Sequence, residues 1–328
     1  MTSNIALKVL FLYLTGVVIA GATVPATARS QSDSYVLGEV LVTGERPGPA
    51  LWQVKSGDNV LWILGGVATL PAHATWRSKQ FETLLLESQE VILDGRIFLV
   101  PRTKDEKAAA KRAKYIPDGK TLKEIVSPES YARFEAVRNV FAKSDRKIDR
   151  LRPQNATTKL TMMALRSLGL APFRLDKYVS KLAAKAKVKV VRLENTFADY
   201  SEYLRAIDKN STEPCLRVDG LENDGAGYKA LANAWSMGDI DELRRLVPLY
   251  SVYQKTHAAG KCSIALHDSE QSANETISEH TAKWMAAAEK ALASNRSTIA
   301  VVPMAELFAP DGYLALLRSR GYEVIEPK

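Results

Sequence analysis

The imidazole and thiol groups that would carry metal, acid–base or nucleophilic chemistry are few and scattered in this chain of 328 residues. There are four histidines, His73, His257, His267 and His280, and two cysteines, Cys215 and Cys262. The histidines form no zinc-type cluster with the cysteines, and neither cysteine sits in a Cys-x-x-Cys pair. Neither a zinc site nor a thiol redox site is therefore indicated. His257, His267 and His280 have no evident partner and read as surface or capping residues. No Gly-x-Ser-x-Gly elbow marks a serine nucleophile. Gly65-Gly66 lacks the further glycines and the lysine of a phosphate-cradling loop. The tryptophans and tyrosines read as core and hairpin packing, with a carbohydrate groove as the alternative use.

The composition bounds the rest. With 46% hydrophobic and 25% charged residues, the chain can bury a sizeable core. Lys8 precedes an uncharged run, Val9 to Val24, and Ala26 and Ala28 follow in an A-x-A spacing. A basic flank, an apolar core and small residues make a secretory signal peptide, with cleavage expected after Ala28. An uncleaved anchor is the alternative, although the run is short of the roughly 20 residues that span a bilayer. No other segment is long and apolar enough to cross. Export allows Cys215 and Cys262 to form a disulfide, closing a loop of about fifty residues worth about 3–4 kcal/mol. Two free buried thiols are the alternative. The formal charge is +8, and Arg102 to Arg150 carries fourteen Lys/Arg against eight Asp/Glu. A solvated helix of mixed charge explains its densest stretch, KDEKAAAKRAK. A face for anionic lipid, polysaccharide or an acidic protein is the other reading. Nucleic acid is excluded by compartment and by the absence of interleaved aromatics.

The elements that must position any site follow from local patterns. Residues 1–28 form the signal peptide and 29–49 a polar, flexible leader, leaving 50–328 as one domain. LWQV and VLWIL flank Ser56-Gly57-Asp58-Asn59, the signature of a hairpin. A helix from about Trp76 to Ser88 and a strand over Glu90–Asp94 complete an α/β crossover. Ser127-Pro128-Glu129 opens a helix that carries Tyr131, Phe134, Val137 and Phe141 on one side. Further helices are expected over 160–170 and 175–186, a strand over 187–193, and a mostly helical stretch from 196 to 293. TIAVVP then reads as a strand. A helix begins at Pro310-Asp311, buries Leu314, Leu316 and Leu317, and is closed by Gly321. YEVIE ends the chain as a strand. The expected class is α/β: a mixed sheet with flanking helices and a large helical insertion.

One ordered set of residues resembles the TraB/GumN family. Leu70-Pro71, Trp76-Arg77-Ser78 and Glu90-Val91-Ile92-Leu93-Asp94 match the family's opening in spacing. Leu175-Asp176, Val190 to Glu194, and Trp235 with Gly238-Asp239 are similar to its middle section. AVVPMAELFAPDGYLALLRSRGYEV is similar to its close. The resemblance covers about residues 50 to 326. It implies the Tiki-like fold and a metal-dependent hydrolase, a peptidase of the Tiki type, in which histidines and a carboxylate hold a divalent cation that activates water.

The residues that the resemblance singles out are altered here. The family's first Gly-x-x-His falls on Gly65 to Ala68, so alanine stands where the histidine belongs. The second histidine motif falls on Pro303 to Glu306, with Glu306 at the histidine position. Asp94 stands where Glu is usual, which draws a ligand oxygen back by roughly 1.5 Å. His280-Thr281 replaces the family's Arg-Asn pair. Glu194 alone is the usual residue in its place. Losing two imidazole ligands points to a non-catalytic homologue with the fold kept. No cofactor is then expected. The alternative is a rebuilt hydrolase site: His73 with Asp94, Glu194 and Glu306 around a divalent cation, Mn, Co, Zn or Mg. The strand ends are expected to bring Gly65–Ala68, Asp94, Glu194 and Pro303–Glu306 to one cleft. A periplasmic or secreted binding or accessory protein follows, with an envelope protein, peptide or polysaccharide as its partner.

Overall fold

The computed structural model describes residues 48–72, 78–95, 97–98, 101–197, 200–201, 204–205, 216, 218, 221–252 and 270–327. The expected signal peptide, the expected leader up to residue 47, and His73, Trp76, Arg77, Cys215, His257, Cys262 and His267 lie outside these residues. The disulfide expected between Cys215 and Cys262 therefore also lies outside them.

The hairpin forms as the pattern predicts. Strand β1 (Leu51–Ser56) pairs antiparallel with β2 (Asn59–Gly66) around Gly57, whose φ of 58° favours glycine. A short β3 (Thr69–Pro71) follows. Helix α1 (Lys79–Glu87) is capped by Ser78, whose Oγ accepts from the Phe81 N–H at 3.2 Å. It starts after the expected Trp76 and drives Phe81 and Leu85 into the core. Strand β4 (Glu90–Leu93) and the two-residue β5 (Ile97–Phe98) come next.

Helices α2 (Lys104–Ala113), α3 (Leu122–Ile125), α4 (Pro128–Phe141) and α5 (Pro153–Ser167) make the first helical group. The Ser127-Pro128 start is as predicted. Helix α5 begins well before the expected Leu160, because Pro153 at its first turn fixes the required φ. It stops at Ser167, and Leu170 enters strand β6 (Leu170–Pro172), which pairs with β3. These helices enclose their own core of Leu122, Phe134, Ile148, Ala156 and Leu160.

Helix α6 (Leu175–Ala186) precedes β7 (Lys189–Arg192). The short β8 (Thr196–Phe197) pairs with β5, a bond that the helical reading of 196–293 missed. The rest of that stretch contains α7 (Leu221–Met237), α8 (Ile240–Val252) and α9 (Glu270–Ser294). Gly238 (φ 70°) ends α7 in the left-handed conformation. Asp239 Oδ1 then caps α8 by accepting from the Glu242 N–H at 3.0 Å. Strand β9 (Ser297–Pro303), helices α10 (Met304–Phe308) and α11 (Tyr313–Ser319), and β10 (Glu323–Ile325) complete the chain. Leu316 of α11 is half-buried rather than buried, and Tyr313 fills the inward position instead.

The six-stranded sheet runs β10-β1-β2-β9-β4-β7. Its hairpin side is antiparallel, and β2, β9, β4 and β7 are mutually parallel. The continuous apolar runs of β2, β4 and β9 suit parallel strands covered on both faces. The charged Lys189 and Arg192 suit β7 to the edge. Helices flank the sheet, so the α/β class with its helical insertion is the observed architecture. Among the described residues, no helix is long and apolar enough to cross a membrane.

Trp52, Trp235, Trp284 and Tyr313 are the largest side chains sealed in the core. Trp235 Nε1 donates to the Gly65 carbonyl at 2.7 Å, tying α7 to the end of β2. The Trp235→Phe variant loses that bond and part of the ring. It should unfold about 1–3 kcal/mol more easily in urea. Unchanged stability would show that the tether is dispensable.

Candidate functional site

The four parallel strands stop at one edge of the sheet. Gly66 pairs with Pro303, and Leu93 pairs with both Val301 and Arg192. The residues just beyond must therefore emerge together: Val67-Ala68, Met304, Asp94-Gly95 and Leu193-Glu194. Such an edge is where ligands bind in open α/β sheets. A cavity of about 220 Å3 opens there, lined by Val67, Ala68, Asp94, Phe173, Asp176 and Val302 among others. A smaller one of about 110 Å3 shares the Gly66–Ala68 turn and Pro303, and is walled by Tyr228, Leu231 and Val247. The wall is apolar except for its carboxylates.

Close packing holds these turns. A Cβ on Gly65 would lie 2.6 Å from Met304 Sδ and 2.8 Å from Leu307 Cδ1. A Cβ on Gly95 would lie 2.5 Å from the Glu194 carbonyl oxygen and 3.4 Å from His280 Cε1. Glycine at 95 thus lets β4 and the segment after β7 approach. A methyl there meets rigid backbone rather than a movable side chain.

The chemistry gathers on Asp94. Its side chain is only 4% exposed. Tyr313 donates its hydroxyl to Oδ2 at 3.1 Å. His280 Nε2 lies 3.3 Å from Oδ1, within ion-pair distance but off the line of an aligned hydrogen bond. Tyr313 is held by Trp284, stacked on it with centroids 3.9 Å apart and planes 3° from parallel. Both His280 and Trp284 project from α9, four residues apart, so one helix face supplies both.

These contacts decide the charges. The polar contact with Asp94 raises the His280 pKa above its ordinary value. The Asp94 charge itself and that of Glu306 act in the same direction, while burial and Lys283 oppose them. Burial pushes the Tyr313 phenol strongly upward, and the negative charges of Asp94 and Glu306 add to this. Tyr313 therefore stays a proton donor, and His280 tends toward the imidazolium. Asp94 is balanced by the protein's own groups.

The sequence-derived positions fall unevenly around this centre. Ala68 and Asp94 line the larger cavity, whereas Gly65 sits behind it, under Trp235. Glu194 is exposed and contributes its backbone to the packing on Gly95. Glu306 is half-buried on α10 and acts electrostatically on His280 and Tyr313. His280 corrects the sequence reading: it is a buried partner of Asp94, not a surface or capping residue. Tyr313 was missed altogether. Its only signal was its place directly after Pro-Asp-Gly, at the first turn of α11. Asp176, also on the cavity wall, is clamped by Arg174 through two bonds of 2.9 and 2.7 Å.

The TraB/PrgY/gumN family model matches residues 50–326. The chain belongs to that family. No curated protein and no solved structure gives a significant match. Family membership covers the whole sheet and every residue of the strand-end site. Among the described residues, no three or more His, Cys, Asp or Glu side chains are grouped so as to hold a metal ion. The donor set explains why. Ala68 offers no lone pair, Glu194 points to solvent, and Asp94 is already held by Tyr313 and His280. Ala68, Asp94 and Glu194 alone thus make a poor donor set for a catalytic cation; His73, the remaining candidate ligand beside Glu306, lies outside the described residues.

A pH dependence follows. Because the folded His280 pKa lies above the unfolded value of about 6.5, its contact with Asp94 stabilises fully below that pH. The stabilisation is lost as pH rises through the raised value. Urea midpoints of the native protein and of His280→Gln should therefore differ most under acidic conditions and converge under alkaline ones. The Asp94→Asn variant should bring the His280 titration, followed by NMR, back toward its ordinary range. A gap that widened with pH would refute the pairing. The Gly95→Ala variant should cost about 1–3 kcal/mol by overpacking, measured by the same unfolding curves.

Proposed function

We propose that this TraB/PrgY/gumN member is a secreted, non-catalytic homologue that works as a periplasmic binding or accessory factor. One observation carries the reading. The buried carboxylate at the centre of the strand-end site, Asp94, accepts a hydrogen bond from Tyr313 and faces His280 at 3.3 Å, and the adjoining turn carries Ala68 where the resemblance would place a ligand histidine. A water-activating cation needs several free lone pairs converging on one point. Here the one buried carboxylate is faced instead by a phenol that donates to it and by an imidazole.

The cavity itself supports binding. Its walls of Val67, Ala68, Phe173, Leu175 and Val302 suit an aliphatic group, and Asp94 and Asp176 supply negative charge beside them. A small pocket of this make-up favours an aliphatic side chain or chain end over a sugar ring. The secretory reading rests on the sequence of residues 1–28: a basic flank, an apolar run, then Ala26 and Ala28.

Two measurements test this reading. The exported protein should begin at Arg29 by intact-mass analysis; a retained N-terminus would instead make it an anchored protein. Purified protein incubated with Mn2+, Co2+ or Zn2+ and then desalted should carry far less than one ion per chain. It should cleave no peptide of a mixed library. Stoichiometric metal together with cleavage that a chelator abolishes would overturn the proposal in favour of the rebuilt hydrolase site.

A further inference from the structure

Helix α2 is unlike the other long helices in burying none of its residues. Its sequence, KDEKAAAKRA, is held by a capping box: Thr103 Oγ1 accepts from the Glu106 N–H, and the Glu106 carboxylate accepts from the Thr103 N–H. That carboxylate also accepts from the Arg102 N–H at 2.6 Å. The helix's one partly covered acid is therefore spent on backbone. Ala109, Ala110 and Ala113 lie on the same half-covered side as Glu106.

The opposite side is basic. Lys104, Lys107, Lys111 and Lys114 follow at spacings of three, four and three, so they share one face of the helix. Arg112 borders them, and all five are exposed. No acid falls within that arc; Asp105 stands at its margin. The antiparallel bridge between Tyr115 and Leu151 brings exposed Arg150 alongside the helix end. The row spans about 15 Å at 1.5 Å per residue.

We infer that the lysine face of α2 docks the protein on a bilayer surface rich in anionic lipid. The chemistry favours that partner. A leaflet offers diffuse negative charge without fixed geometry, which suits a flat row of hydrated ammonium groups on flexible stems. A shaped acidic protein or a uronic acid chain is read instead by guanidinium forks or stacked aromatic rings, and in this face four lysines outnumber the two flanking arginines, Arg112 and Arg150. The one exposed aromatic ring here, Tyr115, is covered by Lys114 Nζ at 5.9 Å from its centroid. This inference does not rest on the reading of the strand-end site.

Sedimentation of the mature protein with vesicles tests it. Binding is expected to phosphatidylcholine vesicles containing about one-third phosphatidylglycerol, and not to phosphatidylcholine alone. It should weaken steeply as salt is raised. Each lysine removed should lower the affinity about fivefold, so Lys104→Gln, Lys107→Gln and Lys111→Gln together should lower it on the order of a hundredfold. The matched Lys→Arg triple should keep it. A control removes the same charge from another exposed helix, with Lys177, Lys181 and Lys185 all changed to Gln. Absence of vesicle binding, or equal loss in the control, would overturn the assignment. So would tighter binding to a soluble polyuronate than to the vesicles.

Discussion

A carboxylate sealed at a strand end cannot stand alone, because burial without a counter-charge or hydrogen bonds is costly. Asp94 meets that constraint through Tyr313 and His280, and much of the structure is arranged to deliver those two groups. Tyr313 arrives from α11, braced against Trp284. His280 arrives from α9 one turn before the same tryptophan. The end of β4, a long helix from the insertion and the C-terminal helix thus meet at one atom group. The site is also a joint of the fold.

That double role makes sense of the substitutions. If a homologue holds a cation at this edge, the cation supplies the positive charge that the carboxylates need. Without such a cation, another source of positive charge is required. His280 places a basic group against Asp94. Glu306 adds negative charge nearby and so strengthens the case for an imidazolium. The residues that retain the fold and those that replace the chemistry are therefore not independent sets.

Much of the architecture was legible in the sequence because its signals were local. The Gly57-Asp58 turn, the Ser127-Pro128 cap and the apolar runs of β2, β4 and β9 each declare themselves within a few residues, whereas the Gly238-Asp239 junction was suggested only by the family resemblance. The short strands β5 and β8 did not, since two-residue pairings leave no periodicity. Of the strand-end residues expected to meet in the mixed sheet, Ala68, Asp94 and Pro303 line the cavity, and Glu194 and Glu306 do not. For His280 the residues alone suggested a surface role, while the resemblance set His280-Thr281 among the altered positions. Its contact with Asp94, 186 positions away, is revealed only by the packing of α9 against the sheet. Glu194 shows the reverse: the resemblance singled it out, yet its side chain faces solvent while its carbonyl sets the backbone approach at Gly95.

The central claim is that protein groups, not a cation, balance the charge on Asp94. The most direct measurement is an NMR titration of the His280 imidazole with excess Co2+. The account predicts that its resonances keep their positions and widths, because the ring remains on Asp94. A large paramagnetic shift or broadening of His280, removed by chelator, would contradict it.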